Sequence, residues 1–394
     1  MPKITATVLA AAVLVTGCTA TQAQERAPGQ ESSAAAESPP PVLNSLELKL
    51  KPAPNAEEVV PAAPVTVKAE HGELTRVTLI GKHGTVVKGG MNQQKTEWRS
   101  AEPLGYTKQY TLTARGIGED GETVKKRSTF TTVTPAQQVS VQMTVPDGAT
   151  VGVGMPISFQ FSAPISDKDA AERALQVKPS RKTEGAFHWF SDSWVVWRPK
   201  KYWKPGTKVK VNAKIYGTHL GGGIYGSQSQ SRSMKIGEKL IAVADGKTHQ
   251  MTVRVDGRKI KTIPISMGKP THPTHHGIYT VMSEHRGYTM DSSTYGVSTD
   301  DPEGYRITVD YATRMSNSGI FYHSAPWSEV AQGNSNTSHG CLNLSTANAA
   351  WLMEKSKPGD LIEVVNSGGA KLEPTNGWSF WQLSWKQWKS GGVK

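Results

Sequence analysis

Ser338-His339-Gly340-Cys341-Leu342-Asn343 carries one of only two cysteines in the chain, Cys341. A cysteine nucleophile needs a thiolate, a nearby imidazole and donors for a developing oxyanion. A free thiol titrates near ~8.5, and a paired imidazolium lowers that by several units. Two imidazoles are candidates: His339 inside the motif, and His323 upstream in His323-Ser324-Ala325-Pro326-Trp327. Gly340 lets the backbone approach a substrate closely, so the N–H groups of Gly340 and Cys341 are candidate oxyanion donors. The competing reading is that Cys341 is a small buried hydrophobe, the common role of a free cysteine.

Outward from this motif, one helix is expected directly downstream. Ser345 can cap it, Ala347, Ala350 and Trp351 share a face, and Pro358-Gly359 ends it. Upstream, residues 239–244 and 250–255 frame Asp245-Gly246, with Asp256-Gly257 following, a hairpin-like pattern. Further strands are expected near residues 277–282 and 305–311. Before residue 237 the signal is alternation: residues 75–80 (TRVTLI), 110–114 (YTLTA), 140–145, 157–161, 194–197 and 208–215. Pro146-Asp147-Gly148, Pro205-Gly206 and other turn signals punctuate these strands. Trp98-Arg99 followed by Thr107-Lys108 recurs as Trp197-Arg198 followed by Thr207-Lys208. That period matches one immunoglobulin-like domain.

Residues 4–15 form an apolar stretch behind Lys3, a secretory signal too short to span a bilayer. It ends in Val15-Thr16-Gly17-Cys18, which resembles a bacterial lipobox and makes Cys18 the expected lipidation site. Diacylglycerol would supply two chains, enough for stable anchoring. Residues 19–44 are rich in Ala, Ser, Glu, Gln and Pro and read as a flexible tether. With so few cysteines the chain is no disulfide scaffold. Lys plus Arg total 45 against 33 Asp plus Glu, a net charge of +12 that attracts polyanions of any kind. Export argues against nucleic acid as the partner and for a wall polymer.

The run His323-Ser324, Ser338-His339-Gly340-Cys341 and Asn343 resembles the L,D-transpeptidase catalytic motif of YkuD-type domains. His323 to Trp327 and Met290-Asp291-Ser292-Ser293-Thr294-Tyr295 are similar to its actinobacterial branch. The resemblance implies Cys341 as the acylated nucleophile, His323 as general base, and the Ser324 carbonyl as the group orienting that imidazole. It implies His339 as a supporting pocket histidine, Gly340 and Cys341 as oxyanion donors with Tyr305 beside them, and Asn343 holding the loop. Met290, Tyr295 and Tyr305 match a substrate flap, and Ser338 is counted with the substrate contacts. The implied reaction joins the third residues of two peptidoglycan stem peptides through a thioester, with release of D-Ala. Carbapenem-type β-lactams are implied as covalent inhibitors, and no cofactor is called for.

The expected architecture is all-β. It comprises a signal (1–18), a tether (19–44), two immunoglobulin-like sandwiches (45–134 and 135–236), a β-rich catalytic domain (237–366) with one short helix, and a Trp-rich tail (367–394) packing on the catalytic domain. Two rival functions stay open: hydrolysis of the same stems, and a non-catalytic wall-binding protein. His272, His275 and His276 share a Pro-interrupted loop without an acidic or thiol partner in a ligand frame, so no metal ligand is assigned there. Trp378, Trp381, Trp385 and Trp388 are read as packing residues rather than a sugar platform.

Overall fold

Alternating segments become strands wherever one face meets a core, and most of this chain is built that way. A computed structural model describes residues 44–392. Cys18, the signal and nearly all of the expected tether lie outside the described residues.

The first sandwich packs two four-stranded sheets. One orders Glu47–Lys51, Thr66–Glu70, Glu97–Ser100 and Gly89–Met91; the other orders Val86–Val87, Gly72–Gly81, Gln109–Gly118 and Thr123–Thr131. Leu48, Val67, Leu79, Trp98, Leu112 and Phe130 fill the space between them. Each such aliphatic side chain stabilises the fold by roughly 1.5–3 kcal/mol when removed from water. The second sandwich repeats the plan, with Val141–Met143, Ile157–Phe161, Trp194–Pro199 and Gly185–Trp189 facing Ala149–Val151, Gln230–Ile236, Lys208–Ala213 and Leu175–Pro179. Its core includes Phe159, Trp197, Trp203 and Val211. The expected strand at 140–145 shortens to Val141–Met143, and Gln137–Val139 just before it joins a different sheet. A short helix, Lys168–Ala174, escaped the alternation reading. Asp167 caps it by accepting from the Ala170 N–H at 2.8 Å.

The catalytic region holds two sheets. The first orders Arg258–Pro264, Gln250–Val255, Leu240–Asp245, Leu361–Val365 and Gly277–Thr280. Its centre pairs Leu240–Asp245 with Leu361–Val365 in parallel, a partner the sequence reading did not assign. The second orders Ser283–Asp291, Arg306–Arg314, Phe321–Ser324 and Leu342–Leu344. Its last pair is parallel, with Tyr322 opposite Leu342 and His323 opposite Asn343.

The helix spans Thr346–Lys355, and Ser345 caps it as expected, accepting from the Asn348 N–H at 3.4 Å. Its buried face differs from the expected one: Ala349, Leu352 and Met353 point into the core, while Ala347 is exposed. The larger apolar side chains decide the face, because they bury more area than alanines do.

The tail also departs from expectation. Its helix, Trp385–Ser390, packs chiefly on the second sandwich, where Trp388 is fully buried with Val196 and Phe380. The Trp388 indole donates to the Ala186 carbonyl at 2.9 Å, and Arg198 lies over the rings of Trp381, Trp385 and Trp388. The first part of the tail stays on the catalytic domain as expected: Leu372 is buried in its core with its N–H donating to the His276 carbonyl at 2.9 Å, and Gln382 donates to the Ile278 carbonyl at 2.7 Å. Flat indoles and a buried guanidinium favour each other's company over water, so the tail docks where Arg198 is.

Candidate active site

Strand geometry brings the reactive pair together. In Phe321–Ser324 and Leu342–Leu344 successive side chains alternate between faces. Tyr322, Leu342 and Leu344 point into the main catalytic core. Phe321 and Cys341 point the other way, into a smaller cluster with Met290, Val309 and Ala312. His323, two residues beyond Phe321, shares that second face. The parallel register sets Cys341 and His323 on one side of neighbouring strands, with Cys341 two residues before Asn343, the register partner of His323. Both line a cavity of about 810 Å³, with Met290, Tyr305, Ile307, Trp327, Ser338, His339 and Asn343.

His323 is buried, and its Nδ1–H donates to the Ser324 carbonyl at 2.9 Å. That bond fixes the ring and leaves Nε2 as the proton acceptor. Burial pushes the imidazole down to about 4, with the Ser324 carbonyl opposing the shift. Burial pushes the Cys341 thiol up to about 11, while the Phe321 backbone N–H and the Arg314 charge pull it down. The thiol itself donates to the Gly319 carbonyl at 3.4 Å. Burial thus favours the uncharged form of both groups.

Gly340 sits at φ +119°, a conformation that favours glycine, and a Cβ there would lie 2.9 Å from the Ile320 side chain. Its N–H is already donated to Ser338 Oγ at 3.1 Å, so it is not a ready oxyanion donor in this state. Ser338 Oγ in turn donates to the Cys341 carbonyl at 2.6 Å. Ser338 lines the cavity, but its hydroxyl holds the nucleophile's turn together. Asn343 Nδ2 donates to Ser328 Oγ at 3.1 Å, tying the turn to the segment after His323. Trp327, 54% exposed, stands at the cavity wall with its ring 6.0 Å from His323.

The flap residues close from the other side. Ser292–Tyr295 forms one turn of 3-10 helix, and Ser292 and Tyr305 exchange backbone and hydroxyl bonds at 2.9 Å. Met290 is buried against the Cys341 cluster. The Tyr305 ring lies 5.5 Å from His339. The side chain of Tyr295 lies outside the described residues.

Several participants were invisible in the motif. Thr274 is fully buried, donates to the Gly340 carbonyl at 2.8 Å and accepts from the Gly268 N–H at 3.0 Å. Glu303 bonds both His339 Nε2 and Lys269, the latter at 2.6 Å. Lys269 and then His339 hold the Glu303 carboxyl down to about 2. The three histidines read together in sequence part company here. His276 Nδ1 meets the Gly369 carbonyl at 2.9 Å, and the His275 carbonyl accepts from Tyr279 at 2.9 Å. His272 instead faces His339 across 5.1 Å between ring centroids. Among the described residues, His272, Glu303 and His339 offer ligand atoms within 4.8 Å of one another.

Known proteins share this arrangement of parts. Residues 239–364 match the L,D-transpeptidase catalytic domain family, and residues 56–219 match a bacterial Ig domain family. L,D-transpeptidase 2 of Mycobacterium tuberculosis is 44% identical over 84% of this chain and 81% of its own length. L,D-transpeptidase 5 of the same species is 36% identical over 92% and 80%. A solved L,D-transpeptidase in complex with imipenem superposes at a TM-score of 0.51 with 38% identity, covering 59% of this chain and all of that one. By its family match and its identity to these relatives over most of its length, this chain belongs to the L,D-transpeptidase family, acyltransferases that here carry immunoglobulin-like modules ahead of the catalytic domain.

Proposed function

We propose that this protein cross-links peptidoglycan through a thioester on Cys341. The observation that carries this reading is the shared strand face of Cys341 and His323 at the floor of the cavity. His323 Nε2 takes the proton from Sγ as sulfur attacks the carbonyl joining the third stem residue to the terminal D-Ala. The C–N bond breaks, the proton passes from the imidazolium to the leaving D-Ala amine, and a thioester remains. The side-chain amine of a second stem attacks that thioester, His323 accepts the amine's proton, and the thiol is restored. The product joins the third residues of two stems. Backbone donors near Cys341 and the Tyr305 hydroxyl would steady the oxyanion of each step. The flap carrying Met290 and Tyr305 would limit water at the thioester, favouring transfer over hydrolysis.

Purified protein incubated with a disaccharide-tetrapeptide and followed by mass spectrometry tests this. Dimer with loss of D-Ala is expected. Tripeptide alone would assign hydrolysis, and an unchanged substrate would refute the enzymatic reading. The imipenem complex of the relative supports carbapenems as acylating inhibitors of Cys341, checked as a mass adduct that Cys341→Ala lacks.

The N-terminal signal supports a lipid anchor at Cys18, with the sandwiches lifting the catalytic domain from the membrane into the wall. Cys18→Ala should move the protein from the membrane fraction to the soluble fraction. Retention in the membrane would remove the anchor from the proposal.

A further inference from the structure

The cluster at the cavity mouth has a composition that the transfer reaction does not explain. His339 sits in the nucleophile's turn, one residue before Gly340. His272 belongs to the loop ahead of strand Gly277–Thr280. Glu303 belongs to the flap, between the turn Ser292–Tyr295 and strand Arg306–Arg314. All three are half-buried. Their ligand atoms lie within 4.8 Å of one another, and the two imidazoles meet at an interplanar angle of 55°.

The two histidines are held in place by their backbones. The Lys269 N–H donates to the Ser338 carbonyl at 2.8 Å, and the His272 N–H donates to the Lys269 carbonyl at 2.9 Å. Thr274 bonds the Gly340 carbonyl at 2.8 Å. These bonds bracket His272 and His339 and stitch their two loops together. Glu303 is the mobile third member, on the flap with 43% of its side chain exposed. Two imidazoles and one carboxylate suit a borderline transition ion, whereas calcium and magnesium prefer all-oxygen shells. Zinc binds such ligands at about 2.0–2.2 Å. Glu303 already meets His339 Nε2, and the ligand atoms within 4.8 Å of one another must draw inward to reach that geometry. Lys269 would have to yield Glu303, and its long stem allows that.

We propose that His272, Glu303 and His339 form a zinc-type divalent metal site that clamps the flap onto the nucleophile's turn. Zinc here leaves its fourth position to water. It links Glu303, two residues before Tyr305, to His339, two residues before Cys341. Both neighbours line the catalytic cavity. A closed clamp narrows access to Cys341 and slows its acylation.

The full chain, freed of metal by chelation, is titrated with Zn²⁺ by calorimetry, and Co²⁺ is used as a spectroscopic probe of tetrahedral coordination. One site per chain is expected. His272→Ala and Glu303→Gln should each weaken Zn²⁺ at least tenfold, while Cys341→Ala should retain it. Retention in both ligand variants, or loss in Cys341→Ala, overturns the site. The acylation rate with a carbapenem is then measured with and without Zn²⁺ within each variant. A several-fold slowing in the wild-type chain that disappears in His272→Ala supports the clamp, and no slowing in the wild-type chain overturns it. Metal binding is read without turnover, so failure of the cross-linking reading leaves this result standing.

Discussion

Two polar groups of residues meet at this active site and treat charge in opposite ways. On the inner side, Cys341 and His323 are buried, and burial disfavours the charged form of each, pushing the thiol up to about 11 and the imidazole down to about 4. On the outer side, Glu303 stands between Lys269 and His339 near solvent, and its carboxyl stays ionised down to about 2. Nearby charge alone does not separate the two cases, because Arg314 pulls on Cys341 as well. Solvent access does: desolvation penalises the charged form wherever water is excluded. The buried pair thus sits where charge is disfavoured, while the mouth carries the fixed charge.

The largest effect should come from removing the inner pair. Cys341→Ala should abolish the acyl-enzyme adduct and the dimer product altogether. His323→Ala should slow acylation by about 10²–10⁴-fold, the usual contribution of a positioned base, measured by stopped-flow with a carbapenem. A loss under tenfold would mean that another group takes the proton.

The pH dependence sharpens the contrast next. A thiol reacts as its anion, so a raised pKa means that the reactive fraction falls about tenfold for each pH unit below it. Alkylation of Cys341 by iodoacetamide should therefore climb about tenfold per unit from pH 7 to 9. A plateau near neutrality would reveal a resting thiolate–imidazolium pair and break the comparison. Acylation by substrate, with His323 as the base, should stay level above pH 5 and fall as the imidazole protonates near 4.

Thr274→Val probes the support beneath the turn. It removes the bond to the Gly340 carbonyl and leaves the Gly268 N–H without its partner. Unmade buried hydrogen bonds cost about 1–3 kcal/mol each. A lower unfolding midpoint in denaturant, with a smaller acylation rate, is expected.

The smallest effect extends the same rule to a second carboxyl. Asp360 is fully buried, and burial lifts it to about 7 even though Lys357 lies 3.1 Å away. A carboxyl raised in the folded state contributes stability at low pH that is lost as pH rises through about 7. Asp360→Asn should raise Tm by roughly 2–4 °C at pH 8 relative to the parent and by less at pH 5, read by calorimetry. An equal shift at both pH values would mean that Asp360 is ionised in the fold despite its burial.

Much of this was legible from residue order. Alternation placed sandwich strands where every second side chain is buried, as in Gln109–Gly118, which contains the expected 110–114. The spacing of His323, Cys341 and Asn343 picked out residues that the fold brings to one cavity. The strands that carry them were not legible, since Phe321–Ser324 and Leu342–Leu344 are too short to show a period. Likewise Leu361–Val365 offers only a brief apolar run, and its central position comes from a parallel partner far away in the chain. The helix face was misjudged because small alanines give a weak pattern, and burial follows Leu352 and Met353.

The sequence by itself determined which chemistry is present: one thiol outside the signal, an imidazole with a carbonyl to orient it, and a glycine that lets the turn bend. Tertiary structure alone decided which way the pKa values of that pair shift, because desolvation depends on what surrounds a group and not on its neighbours in the chain. It alone also gathered Lys269, His272, Glu303 and His339, since loops from three separate segments meet only after the sheets have packed.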